Sequence, residues 1–201
     1  MPWNHMGKIF YIMGKSASGK DHIYASLMQH KELKLKKMVL YTTRPIRDGE
    51  EEGKQYFFTN EAKLEEFRRN GCLIEARSYS TVHGIWSYFT ADDGQVDLSQ
   101  DDYLGIGTLE SYLKLKKYYG EDAVCPVYIE VEDGERLTRA LNREKQQEKP
   151  KYEEMCRRFL ADQSDFSEKN ILSAGIWKRF QNIELETCVD EIVRYIKATA
   201  S

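Results

Sequence analysis

Two stretches of this 201-residue chain carry residue types at spacings suited to holding phosphate. The first is Gly14-Lys15-Ser16-Ala17-Ser18-Gly19-Lys20-Asp21, a G-x-x-x-x-G-K segment between a short apolar run and a helical pattern, the context this motif requires. Its glycines let backbone N–H groups curl around phosphate oxygens at a helix N-terminus. Lys20 can then reach the β- and γ-phosphates of a nucleoside triphosphate. The next position, where a Ser or Thr hydroxyl ordinarily ligates Mg²⁺, holds Asp21. A carboxylate beside a triphosphate is repulsive unless a cation lies between them. Asp21 therefore either binds Mg²⁺, directly or through water, or marks a nucleotide site that no longer works. The first reading is taken, because hard oxygen ligands suit Mg²⁺.

The second stretch is Thr42-Thr43-Arg44-Pro45-Ile46-Arg47-Asp48-Gly49-Glu50, followed by Gly53-Lys54-Gln55-Tyr56. Two arginines three apart at a strand end, with a tyrosine nearby, can clamp one phosphate by charge-assisted hydrogen bonds. On this segment alone a solvated charged loop reads equally well.

These stretches need a frame. Ile9–Met13 reads as a buried strand and Asp21–Met28 as the helix after the loop. Met38–Thr42 and Tyr56–Phe58 read as strands, and a helix runs from about Asn60 to Asn70, capped by Asn60 or Thr59 and closed by Gly71. Leu73-Ile74 and Gly84–Phe89 are strand-like, and the polar run to Asp102 is a solvated loop. Tyr103–Gly107 is a strand leading into a helix over Leu109–Tyr119, and Val124–Val131 is a buried strand. Two charged helices follow, Asp133–Gln147 and Lys151–Lys169, then a strand near Phe180 and an amphipathic helix over Leu185–Lys197. Alternating strands and helices predict an α/β fold with a mainly parallel sheet. One domain is expected, with a core of about 6–40 and 103–201 and a β-rich insertion of about 41–90.

Composition sets limits. With 41% hydrophobic and 31% charged residues, the chain is an ordinary globular protein rather than a disordered or fibrous one. A net charge of −3 gives no support to bulk nucleic-acid or membrane-surface binding. Apolar runs of five or six residues are too short to span a membrane. Cys72, Cys125, Cys156 and Cys188 form no C-x-x-C pair, so zinc and a disulfide framework are set aside in favour of buried free thiols in a reducing cytoplasm. The first residues do not form a signal peptide; Met6 could be a start, with residues 1–5 a leader. No internal repeat is visible.

The phosphate loop, T-T-R-x-x-R-x-G-E-x-x-G-x-x-Y and Leu73-Ile74-Glu75 together resemble guanylate kinase over nearly the whole chain. The resemblance implies a P-loop kinase fold with a parallel central sheet, an inserted β-rich acceptor-binding region and a helical lid of about 139–158. It implies an ATP-dependent, Mg²⁺-assisted transfer to a nucleoside monophosphate, GMP giving GDP, by a cytoplasmic monomer or homodimer that acts on small nucleotides and binds neither nucleic acid nor membrane. By similarity, residues 14–21 hold ATP with Arg139, while Arg44, Arg47, Tyr56 and His83 hold the acceptor phosphate and Glu75 reads the guanine edge. Arg143 and Arg158, which flank the Glu148–Pro150 break, join Lys20 and Arg44 as the catalytic charges. Asn182 fits a family asparagine after the last strand.

Three departures stand out. The family's Y-G-[ST] is here His83-Gly84-Ile85, so a phosphate-touching tyrosine becomes a histidine and a base-side hydroxyl is lost. Its L-D-I-D strand is Leu104-Gly105-Ile106-Gly107, without either carboxylate. The serine expected before the Thr-Thr pair is Leu40 or Tyr41. Asp101 and Asp102 lie nearby but out of register. Two other readings follow. One is a kinase with another phosphorylated acceptor, since ribose bisphosphate kinases also carry G-K-D and lack L-D-I-D. The other is a non-catalytic phosphopeptide-binding module of the same fold, against which the intact Gly14, Gly19 and Lys20 speak.

Overall fold

The computed structural model describes residues 6–81 and 84–200; residues 1–5 and His83, both singled out above, lie outside them. The chain is an α/β fold built on two sheets. The first is fully parallel, with strand order β2-β7-β1-β8-β9, from β1 (Ile9–Met13), β2 (Lys36–Lys37), β7 (Tyr103–Gly107), β8 (Val124–Glu130) and β9 (Arg179–Gln181). Every residue of β1 is buried because helices cover both faces. Ile9, Tyr11 and Met13 point toward α3 (Leu109–Tyr119) and α6 (Glu168–Ser173). Phe10 and Ile12 point toward α1 (Lys20–Gln29) and α7 (Leu185–Ala200). This is the two-residue alternation of a strand, with both faces apolar as a central parallel strand requires.

The second sheet has order β4-β3-β6-β5, from β3 (Leu40–Thr42), β4 (Tyr56–Phe58), β5 (Leu73–Thr81) and β6 (Gly84–Ala91). One face packs on α2 (Glu61–Arg69) through Leu64, Phe67, Phe89 and Ala91. The Asn60 side chain accepts from the Lys63 N–H at the start of α2. At its end Gly71 takes φ 72°, and the Gly71 and Cys72 N–H groups return to the Arg68 and Phe67 carbonyls, the αL glycine stop expected there.

Four expectations are corrected. The run Met38–Thr42 is not one strand. Met38 still bonds the Leu104 carbonyl of the first sheet, the Val39 N–H is taken by Gln95 Oε1 at 2.7 Å, and Leu40 already pairs with β4. Burial on both sides of the switch keeps the run apolar, so pattern alone cannot reveal the change of partner. The helix expected over Lys151–Lys169 is α5 (Tyr152–Asp165) and then α6. Phe166, 6% exposed, leaves the helix to stack on Tyr128, and Asn170 Nδ2 donates to the Ser164 and Asp165 carbonyls that end α5. The loop before Asp102 has no helix but is not simply solvated, since Val96 and Leu98 pack on the core. Cys125 and Cys188 are buried, but Cys156 on α5 is exposed.

Candidate active site

The phosphate loop joins the C-terminal end of β1 to α1, and β1 lies between β7 and β8, the crevice position where open α/β sheets bind ligands. Gly19 (φ 82°) and Ala17 (φ 61°) both adopt left-handed backbone. No side chain caps α1, which leaves its first N–H groups available to an anion. The curl is held from behind by Asn182, 5% exposed, whose Nδ2 donates to the Ser18 carbonyl at 2.8 Å. A Cβ on Gly19 would stand 2.4 Å from that nitrogen, so glycine is required there twice, by conformation and by packing.

Two helices reach the loop from the other side. Arg136 of α4 (Asp133–Lys145) is 1% exposed. It donates from Nε to the Ser16 carbonyl at 3.0 Å and from Nη2 to Asp162 of α5 at 3.0 Å, and it stacks over Phe159. Asp162 in turn accepts the Ser16 N–H at 2.7 Å. Lys15 is turned outward to Asp133 and Gln163. Arg143 and Arg158 line a cleft of about 100 Å³ with Ser16 and Arg136; Arg158 is held by Glu154 at 2.8 Å. Arg139 donates to the Asn182 carbonyl at 3.1 Å and to Glu135. A larger cleft, about 410 Å³, is lined by Glu130, Glu132 and Asp133 together with Lys15 and Arg136. Arg136 was not among the residues read from sequence. On α4 Arg136 is buried, while Leu137 and Leu141 are exposed.

On the opposite bank, Arg44 is 3% exposed and forms a two-pronged pair with Glu50 at 2.8 and 2.9 Å. Its guanidinium lies 5.6 Å from the Tyr56 ring centre and 5.5 Å from that of Phe58. Glu50 also accepts the Arg47 N–H at 2.8 Å, and Arg44 holds its carboxyl below the usual range. The motif glutamate therefore fixes both arginines, one by its side chain and one by its backbone, while the Arg47 side chain stays exposed. Thr42 and Thr43 tie the segment to Ser87 of β6. Burial raises the Tyr56 phenol, and the charge of Asp21 acts in the same direction.

Glu75 is 5% exposed. It pairs with Arg77 at 3.0 Å and accepts from Thr90 at 3.0 Å. Burial raises its pKa above the ordinary 4.5, against the pull of Arg77. Arg77 continues to Thr108 Oγ1 at 3.0 Å, just beyond β7. The glycines of β7 face Tyr11. A Cβ at Gly105 would lie 2.7 Å from the Tyr11 ring, and one at Gly107 would lie 2.0 Å from its hydroxyl, which bonds Ser111 at 2.8 Å. Sequence reading missed both Tyr11 and Arg77. The available signal for Arg77 was a charge two residues from Glu75 on the same strand face; Tyr11 had none, since its place beside the glycines follows from the pairing of β1 with β7.

The guanylate kinase family model matches residues 6–90. Along almost the full length, the chain is 28% identical to the guanylate kinase of Mycoplasma mobile, over 96% of this chain and 94% of that protein. It is 28% identical to that of Porphyromonas gingivalis, over 95% and 97%. Over nearly its full length the chain is similar to guanylate kinases. A solved structure, the guanylate kinase from Anaplasma phagocytophilum, shares the fold with a TM-score of 0.64 at 20% identity, over 97% of this chain and 87% of that one. Compared with the L-D-I-D pattern, the space beside Gly105 and Gly107 is filled here by Tyr11. Asp101 and Asp102 do not replace the two carboxylates of that pattern: they lie at the other end of β7, where Asp101 pairs with Lys36 and Asp102 accepts the Lys8 N–H. Tyr41 does not replace the missing serine, because its hydroxyl turns to Asp93 and its ring packs between Phe57, Phe67 and Phe89. Ile85 is 64% exposed.

Proposed function

We propose that the chain transfers the γ-phosphoryl group of ATP to GMP, giving ADP and GDP. The observation that carries this reading is the presence of two candidate anion sites: the uncapped N-terminus of α1 behind the αL turn at Gly19, with Lys20, and the buried Arg44 guanidinium against the Tyr56 ring. An oxygen of the acceptor phosphate attacks the γ-phosphorus as the bond to the β-bridging oxygen breaks. That phosphate is already an anionic nucleophile, so positioning and charge neutralisation supply the catalysis and no general base is needed. The loop N–H groups and Lys20 stabilise the charge that builds on the β- and γ-oxygens. Arg44, Arg47 and Tyr56, with His83, orient the acceptor phosphate, and Glu75 meets the base. The helices over 139–158 act as a lid that brings Arg143 and Arg158 to the transferred group and excludes water, with Arg139 on the ATP side.

Mg²⁺ is ordinarily held by one or two carboxylates plus substrate phosphates, and the first turn of α1 carries one carboxylate, Asp21. Asp21 is the residue placed to hold it, and when bound it would neutralise phosphate charge. No helix among the described residues is long and apolar enough to cross a membrane. We place the enzyme in the cytoplasm, acting on small nucleotides as a monomer or homodimer rather than on nucleic acid, a reading supported by its net charge of −3.

The test is ADP release, by a coupled assay, over GMP, dGMP, AMP, CMP, UMP and ribose bisphosphate. GMP or dGMP should be best. Turnover of ribose bisphosphate alone would replace this reading with the sugar-phosphate kinase, and ATP binding without any turnover would favour the binding module.

A further inference from the structure

Arg77 is 11% exposed at its side chain, lies two residues beyond Glu75 on the same face of β5, and spans from the second sheet to the C-terminal end of β7 through Thr108. It therefore bridges Glu75 of the second sheet and Thr108 beyond β7.

A guanidinium has five N–H donors. Nε goes to Glu75 Oε2 at 3.0 Å, Nη1 to Thr108 at 3.0 Å, and Nη2 to Glu75 Oε1 at 3.4 Å. One N–H on each terminal nitrogen has no further partner among the described residues. The Glu75 carboxylate has about four acceptor sites; Thr90 and Arg77 Nη2 take those of Oε1, and Arg77 Nε takes one of Oε2. What remains is one acceptor beside a donor fork. A solitary carboxylate could take guanine N1–H and the 2-amino group together. This pair instead complements a carbonyl next to an N–H, the O6/N1–H edge of a purine. β7 offers no carboxylate to the 2-amino group, because Gly105 and Gly107 carry no side chain and Tyr11 fills their space.

We propose that Arg77 is a specificity-determining residue that donates to the 6-oxo group of the acceptor base while Glu75 accepts from N1–H, so that the site takes 6-oxopurine nucleoside monophosphates with or without a 2-amino group. This rests on the nucleoside monophosphate kinase reading.

The experiment compares kcat/KM for GMP, IMP and AMP in the wild type, Arg77→Ala and Arg77→Lys. In the wild type, IMP should fall within about tenfold of GMP, the difference of one neutral hydrogen bond, and AMP should be lower by roughly a hundredfold. Arg77→Ala should lower GMP and IMP alike by about 10- to 100-fold and move AMP by less than about threefold, the pattern of losing one charged donor to O6. Arg77→Lys keeps a cation beside Glu75 and should restore part of the loss for GMP and IMP only. If Arg77→Ala does not fold, the lysine variant and the wild-type ratio of IMP to GMP decide the matter. An equal fall for all three substrates in the variants, or a wild-type preference for GMP over IMP beyond about a hundredfold, would show that Arg77 merely supports Glu75 and overturn the proposal. A wild type that phosphorylates none of the three would remove the kinase reading itself, and this proposal with it.

Discussion

Replacing Gly107 by alanine tests whether Tyr11 has taken the place of the family's carboxylates. The new Cβ would lie 2.0 Å from the Tyr11 hydroxyl oxygen, 2.9 Å from its Cζ and 2.7 Å from Ser111 Oγ, where ordinary contact begins at 3.4 Å. Tyr11 cannot swing away, since it is fully buried and stacked near Tyr112. Overpacking of this kind costs about 1–3 kcal/mol. Pushing the hydroxyl off Ser111 leaves a buried polar group unpaired, at a further ~1–3 kcal/mol. For a chain of this length Tm moves by roughly 2–4 °C per kcal/mol, so a fall of about 4–24 °C is expected. Tyr11→Phe alone should cost only ~1 kcal/mol, because Ser111 keeps its bond to the Thr108 carbonyl. It also removes the atom at 2.0 Å. The double variant should therefore be more stable than the two single effects predict, by about 1–2 kcal/mol. Calorimetry on the four proteins closes the cycle. Additive effects, or a Gly107→Ala variant that melts with the wild type, would refute the packing argument. By the same geometry, Gly107→Asp alone should not restore a guanine-reading carboxylate.

Lys20→Ala should fold normally and lose at least about a hundredfold in turnover, the scale of one preorganised charge donor; single-turnover rates with saturating ATP would show it. Asp21→Asn should raise the Mg²⁺ concentration that gives half-maximal rate, read from a metal titration at fixed ATP, whereas Asp21→Ser should be partly tolerated. The two motif arginines should separate. Arg44→Ala leaves Glu50 without its two-pronged partner and should lower stability by roughly 1.5–3 kcal/mol, whereas Arg47→Ala should melt like the wild type and raise only the acceptor KM. Burial raises the Glu75 pKa while Arg77 and Thr90 oppose the shift, with Glu110 adding repulsion. Only the ionised form accepts N1–H, so the KM for GMP should begin to climb, as pH falls, at a value above the usual 4.5, and Glu75→Gln should abolish that limb.

The sequence by itself determined the phosphate loop, the alternation of strands and helices and the Arg44–Tyr56 motif, because each of these is written in local spacing: glycines at fixed offsets, runs of period two or 3.6, and two cations at a strand end. It also exposed the missing carboxylates of β7, since their absence is a matter of residue identity. What replaced them was decided in three dimensions. Tyr11 lies more than ninety positions before Gly105 and Gly107, and only the parallel pairing of β1 with β7 brings its ring over them. Arg136 reads as helix surface charge until the close approach of Asp162 and Ser16 makes burial of a guanidinium affordable. Glu75 looks like a solitary reader of the base until the pleat of β5 sets Arg77 on the same face. Met38–Thr42 reads as one strand because burial, not partnership, is what an apolar run records. Local pattern fixes which face of an element is apolar and where it begins; which distant side chain fills the space against it follows only from the register of the sheets.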